Sequence, residues 1–389
     1  MRRNETGPSL SQSLLGQLTK SSHIPALDAL RGAAAWLVVV GHTFGPPSLG
    51  RMAVAVFFVL SGFLITWLLV REWDASGAIS LRNFYIRRTL RIFPAFYVFW
   101  IICILAALAR GSRVYWPEAL SSFFYMGDYY NALHSMHVNN IMGVTWSLGV
   151  EEKFYLLWPF IFAAFHRNPA RLFNFAIGSI GVIWLYRIVA ALALALPPDY
   201  LRYSFDSRFD NILYGCALAL ALKLVKLEPL LKSVNRFKLL PFVLGAVLLA
   251  LAVFEARSSS TYDYVFGMTL DSAIIVMMMI QLVFLGAVNG WRWLDHPVLR
   301  LFGQISYSLY LYHIVVIAMV YHFLPHLRIR WSYPIIYLGS AAVAYISYRV
   351  IERPFLRLKD RFTVTPEAPR RGSAESSRAR VAGNSDFTA

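Results

Sequence analysis

Apolar residues run through this chain in long blocks, and the polar residues between them gather in short segments. Ten blocks read as membrane-crossing helices: 28–44, 52–71, 92–110, 149–166, 172–196, 208–225, 239–256, 269–288, 305–323 and 334–351. A helix needs about 20 apolar residues to cross a hydrocarbon core of about 30 Å, so the first block is short. The pattern predicts an all-α integral membrane protein, a bundle of about ten transmembrane helices. Residues 1–27 are polar and Ser-rich and read as a cytoplasmic N-terminal segment. Residues 28–358 read as one membrane domain, and 359–389 as a disordered, basic cytoplasmic tail. No internal repeat is visible.

Composition agrees. The 389 residues are 58% hydrophobic and 15% charged, with mean hydropathy +0.52. A soluble chain carries about a quarter charged residues. The net charge of +16 could suggest nucleic acid. Its distribution excludes that reading, because the Lys and Arg lie in the loops. With the N-terminus inside, the inner segments hold 25 Lys and Arg and the outer loops eight. That asymmetry places both termini in the cytoplasm. A signal peptide is disfavoured, since 27 residues precede the first block and no small-residue cleavage site follows it. Cys103 and Cys216 fall inside apolar blocks, so neither a disulfide framework nor metal-ligand spacing is expected.

Ionisable residues inside the blocks change the picture. A charge at the bilayer centre costs at least ~2.5 kcal/mol. Arg31 and His42 in the first block are eleven residues apart, about three turns plus ~20°, so they share a face and differ in depth by ~16 Å. The topology puts Arg31 near the inner end and His42 near the outer end. Glu151 and Glu152 open the fourth block, and Arg208 and Asp210 the sixth, all toward the outside. Arg87, Arg88 and Arg91 precede the third block on the inside, where their forks suit phosphate. A His with a nearby carboxylate suits general-base work on a hydroxyl. Ser306, Tyr310 and His313 lie at +4 and +7 on one helical face. Tyr345, Arg349 and Glu352 have the same spacing, and Arg349 and Glu352 can pair. Ser61 and Gly62 permit close helix approach.

These residues resemble the motifs of acyltransferase family 3. They are Arg31-Gly32 with His42, Phe57 to Ile65, Arg87 to Pro94, Trp146-Ser147-Leu148 with Glu151 to Tyr155, Arg208-Phe209-Asp210, Ser306 to His313, and Glu352-Arg353-Pro354-Phe355. They occur in the family's order over about residues 24–358. The resemblance implies a ten-helix membrane enzyme that uses cytoplasmic acyl-CoA, usually acetyl-CoA, to O-acylate a carbohydrate or lipid-linked glycan. Acceptors in the family include cell-surface glycans, peptidoglycan and macrolide sugars. Arg31 and His42 match its essential pair. Lys153 departs from the usual Gln and bears on the basicity of the adjacent carboxylates.

The expected chemistry follows. Acyl-CoA docks on Arg87, Arg88 and Arg91 and reaches past Arg31. His42, oriented by Glu151 or Glu152, either deprotonates the acceptor hydroxyl or carries the acyl group. Arg208, Asp210, His313 and Tyr310 shape the acceptor pocket, and no metal takes part. The competing readings are a secondary transporter, which predicts inverted repeats, and a non-catalytic membrane sensor of the same fold. His23 and Asp28 also spell H-x-x-x-x-D, but without the cytosolic domain that this signature needs elsewhere.

Overall fold

The computed structural model describes residues 24–134, 141–224, 237–286 and 289–362. Residues 1–23 and 363–389, which hold most of the expected N-terminal segment and tail, lie outside that range.

The described residues form helices and no strands. They run α1 (Pro25–Gly41), α2 (Pro47–Ser76), α3 (Leu81–Ala109), short α4 (Trp116–Phe123) and α5 (Gly127–Leu133), then α6 (Trp146–Phe165) and α7 (Pro169–Leu192). Next come short α8 (Pro198–Tyr203), α9 (Phe205–Leu224) and α10 (Leu240–Glu255). A turn at Ser260–Tyr262 and a π-turn at Asp263–Gly267 lead into α11 (Met268–Gly286). After α12 (Pro297–Phe323), α13 (Ile329–Ser347) passes through a π-turn at Tyr348–Glu352 into α14 (Arg353–Lys359). Among the described residues, each apolar block falls mainly on a helix. Six helical stretches are long and apolar enough to cross a membrane: α2, α3, α7, Ser260–Val283, α12 and Ile329–Phe362. α1 and α10 are shorter, at 17 and 16 residues. α6 and α9 carry charged residues in their first two turns. The protein is thus a multi-pass helical membrane protein.

Local signals set the ends. Pro at the first position, where no backbone donor is needed, opens α1, α2, α7 and α12. The Ser80 side chain caps α3. Gly77, at φ 66°, closes α2 in the left-handed region.

α2 is the central column. It is apolar all round and buried on most faces, packing on α1, α6, α9, α10 and α11. Gly62 on α2 and Gly215 on α9 let the two backbones meet. A Cβ on Gly215 would come within 2.6 Å of the Phe63 nitrogen and closer still to the Val59 carbonyl oxygen. α1 and α13 flank α12. Between Ser48 and Glu72 of α2 the exceptions to burial form one stripe, Phe57, Ser61, Leu64, Leu68 and Arg71, at helical spacing. The upper part of that stripe, Phe57 and Ser61, faces the polar interior described next.

Candidate functional site

His42 stands at the C-terminal cap of α1. Its Nδ1 lies 2.9 Å from the Val38 carbonyl oxygen. A carbonyl only accepts, so Nδ1 carries the proton and Nε2 presents a lone pair. The ring lies near Gly50 at the start of α2, where a Cβ would be in ordinary van der Waals contact with it, 3.8 Å away. His42 is exposed to solvent. Against it, 5.0 Å between ring centres, stands His313 of α12. His313 is fully buried, its Nδ1 donates to the Leu309 carbonyl at 3.2 Å, and its Nε2 has no partner among the described residues. Tyr310, one turn earlier, accepts from Ser147 Oγ at 2.6 Å and donates to the Val144 carbonyl at 2.8 Å. It thereby ties α12 to the start of α6.

Glu151 lies one turn further along α6. Ser61 and Tyr155 donate to its two oxygens at 2.9 and 3.0 Å. The Arg88 guanidinium covers the Tyr155 ring at 4.0 Å and lies within electrostatic reach of Glu151 and Glu152. Arg91 is in reach of Arg31, Arg88 and Glu352. Glu352 accepts from Ser308 at 2.5 Å. Arg31, Arg88, Arg91, Glu151 and Glu152 are all half-buried. A polar seam bordered by α1, α2, α3, α6 and α12 therefore joins an imidazole pair at one end to a guanidinium cluster at the other.

The chain matches the acyltransferase domain of acyltransferase family 3 over residues 24–349. It belongs to that family. Its relatives include the peptidoglycan O-acetyltransferase OatA of Listeria monocytogenes, 28% identical over 351 residues that cover 85% of this chain and 56% of the relative. The putative peptidoglycan O-acetyltransferase YrhL of Bacillus subtilis is 29% identical over 363 residues, covering 85% and 55%. A putative O-acetyltransferase of Staphylococcus aureus strain COL is 28% identical over 356 residues, covering 86% and 58%. The chain thus spans just over half the length of these relatives. No solved structure matches it.

Several positions on this family member differ from expectation. Neither Glu151 nor Glu152 hydrogen-bonds His42. Both carboxylates are in reach of Arg88, while Ser147, one turn before Glu151 on α6, is the residue that bonds Tyr310 beside His313. Lys153 turns away from them, to Asp128 of α5 at 2.7 Å and the Tyr125 carbonyl at 2.9 Å. Burial pushes the Asp128 carboxyl up, and Lys153 draws it back down. Arg87 is committed to Glu72 at 2.7 Å and to the Phe362 carbonyl at 2.8 Å, which removes it from the free phosphate-binding set. Asp210 belongs to Arg187, with two bonds of 2.7 Å between fully buried groups. Arg208 is fully buried between Phe58 and Trp146, 5.5 Å from each ring centre. Arg349 does not pair with Glu352. The π-turn at Tyr348–Glu352 shifts the register, leaving Arg349 exposed beside Tyr345.

Sequence reasoning named Ser61 for close helix approach and Ser147 and Tyr155 within motifs, but not their hydrogen bonds to Glu151 and Tyr310, which depend on which helix faces them. It also passed over Arg51, which pairs with Glu255, with Asp271 at 3.0 Å and with Asp263 at 3.6 Å. Arg51 and Arg208 are both buried helix residues. Among the described residues no cluster of His, Cys, Asp and Glu could hold a metal, and both cysteines are free and buried.

Proposed function

We propose that the chain is a membrane O-acyltransferase moving an acyl group, in the first instance acetyl, from acyl-CoA to a hydroxyl of a carbohydrate acceptor. The observation that carries this reading is His42: a solvent-open imidazole with Nδ1 held by its own helix and Nε2 free, at one end of a polar seam whose other end is cationic. O-acetyl transfer by its relatives on peptidoglycan supports the acceptor class. In this proposal all ten long helices cross the membrane, both termini are cytoplasmic, and the Arg31 end faces the cytoplasm.

The residues present fit a phosphate-bearing thioester. Arg31, Arg88 and Arg91 form a half-buried cationic cluster at the mouth of the seam. In the transfer, His42 Nε2 takes the proton of the acceptor hydroxyl as that oxygen attacks the thioester carbonyl. The C–S bond then breaks, and the proton passes to the departing thiolate. His42 is equally placed to attack the carbonyl itself and hold the acyl group on Nε2 before the hydroxyl displaces it. His313 packs on the far side of the His42 ring and keeps it in one orientation. Glu151, held by Ser61 and Tyr155, balances the charge of Arg88 halfway down the seam.

The test is thiol release from detergent-purified protein given acetyl-CoA with and without a panel of sugars. Wild type releases CoA in an acceptor-dependent way. His42→Ala elutes as folded protein and releases none. A transporter or a non-catalytic sensor gives no release from wild type, and full release from His42→Ala removes the mechanism.

A further inference from the structure

The C-terminal helix α14 folds back against the N-terminal half of α3. The Arg87 bond to the Phe362 carbonyl fastens it there. This contact brings Lys359 within electrostatic reach of Arg91, Arg88 and Arg87. The cations repel one another. Arg87 is already satisfied by Glu72. Among the described residues, Lys359, Arg91 and Arg31 make no hydrogen bond or ion pair, and Asp360 is the acid in reach of Lys359. Glu352 is in reach of Arg91 and Arg31, but it takes its hydrogen bond from Ser308. All four cations, Arg31, Arg88, Arg91 and Lys359, remain half-buried, so a ligand can reach them. Glu151 and Glu152 lie in reach of Arg88, Glu352 of Arg91 and Arg31, and Asp360 of Lys359, so carboxylates offset part of the charge. Among the described residues the donors of Arg31, Arg91 and Lys359 still stay without hydrogen-bond partners, and such donors brought together are what a bound polyanion needs.

We infer that Lys359 completes a phosphate site with Arg88 and Arg91, taking the place that sequence spacing assigned to Arg87, and that this site grips the phosphates of the nucleotide half of the acyl donor. Arg forks bind phosphate oxygens in pairs, and a Lys adds a mobile point charge from the opposite wall. α14 is then a wall of the donor site rather than the start of a tail. The inference rests on the acyl-CoA donor named above.

The probe is adenosine 3′,5′-bisphosphate, which has the nucleotide phosphates and neither thiol nor acyl group. Its binding to the detergent-purified full chain is measured by calorimetry. Lys359→Gln should weaken binding about tenfold, while Lys359→Arg stays near wild type. Arg357→Gln, which removes an exposed charge from the same helix, should bind as wild type does. In the transfer assay Lys359→Gln should raise KM for acetyl-CoA by a similar factor. It should leave kcat, and all parameters for S-acetylpantetheine, within about twofold. Wild-type binding by Lys359→Gln overturns the inference, as does an equal loss in Arg357→Gln, which would mean general charge attraction. If wild type binds no bisphosphate and releases no thiol, the donor reading itself fails. If it releases thiol but does not bind bisphosphate, this inference alone fails. Should Lys359→Gln not fold, Lys359→Arg and Lys359→Met carry the same comparison.

Discussion

Asp210 separates a binding role from a structural one. Asp210→Asn removes one charge from a pair hidden from water, in which both partners are fully buried and the guanidinium makes two bonds of 2.7 Å to the carboxylate. Arg187 keeps its bonds to the Ser207 carbonyl at 2.8 Å and to Thr269 at 2.7 Å, but its charge is no longer balanced. Breaking a buried pair from one side costs about 3–5 kcal/mol. That is a large share of the 5–15 kcal/mol, roughly, by which proteins are folded. Arg187→Met should be milder, since the stranded carboxyl can take up a proton. The double variant Arg187→Met/Asp210→Leu should recover most of the loss, because apolar replacement of both partners is often neutral or stabilising. Thermal unfolding followed by tryptophan fluorescence, with size-exclusion in mild detergent, reads the stabilities. Thiol release per folded molecule reads the chemistry. The expected order of Tm is wild type, close to the double variant, then Arg187→Met, then Asp210→Asn. An Asp210→Asn protein that melts with wild type but has a raised KM for the acceptor would refute this reasoning and return Asp210 to the acceptor pocket.

Two further outcomes follow from packing and charge. Gly215→Ala should lose about 1–3 kcal/mol or fail to fold, because the new Cβ meets backbone atoms of α2 that cannot move aside, and the yield of monodisperse protein reads this directly. Glu118, on the short helix α4, is buried with one oxygen unpartnered, and burial pushes it up to about 7. The folded state therefore holds a proton that the unfolded state has released, and wild-type stability falls as pH rises from about 4.5 to about 7, then levels off. Glu118→Gln lacks that slope. Its Tm relative to wild type should be higher at pH 8 than at pH 5, by the equivalent of about 3 kcal/mol at most. An unchanged difference between the two pH values would show that Glu118 does not titrate in this range.

Helix positions were legible in the amino-acid order because a chain in lipid must satisfy its backbone within each segment, so every apolar block becomes a helix. The same logic put Arg31 and His42 on one helix and anticipated the close approach at Gly62, since spacing along a single helix determines face and depth. The order of motifs was enough to reveal the family. Partner choice was not legible. Asp210 finds Arg187, Arg87 finds Glu72, Lys153 finds Asp128, and Arg51 gathers three acids from two other segments. Each of these depends on which helices lie side by side, and sequence spacing carries no information about that. The seam has the same origin. His42 lies beside His313, and Glu151 between Ser61 and Arg88, because α2 draws α1, α6 and α9 around itself and α12 closes against α1. The sequence alone determined how far each charge stands along its own helix. Only the packed bundle decided which charge it faces, because ion pairs form across helices and their geometry exists only once the helices have docked.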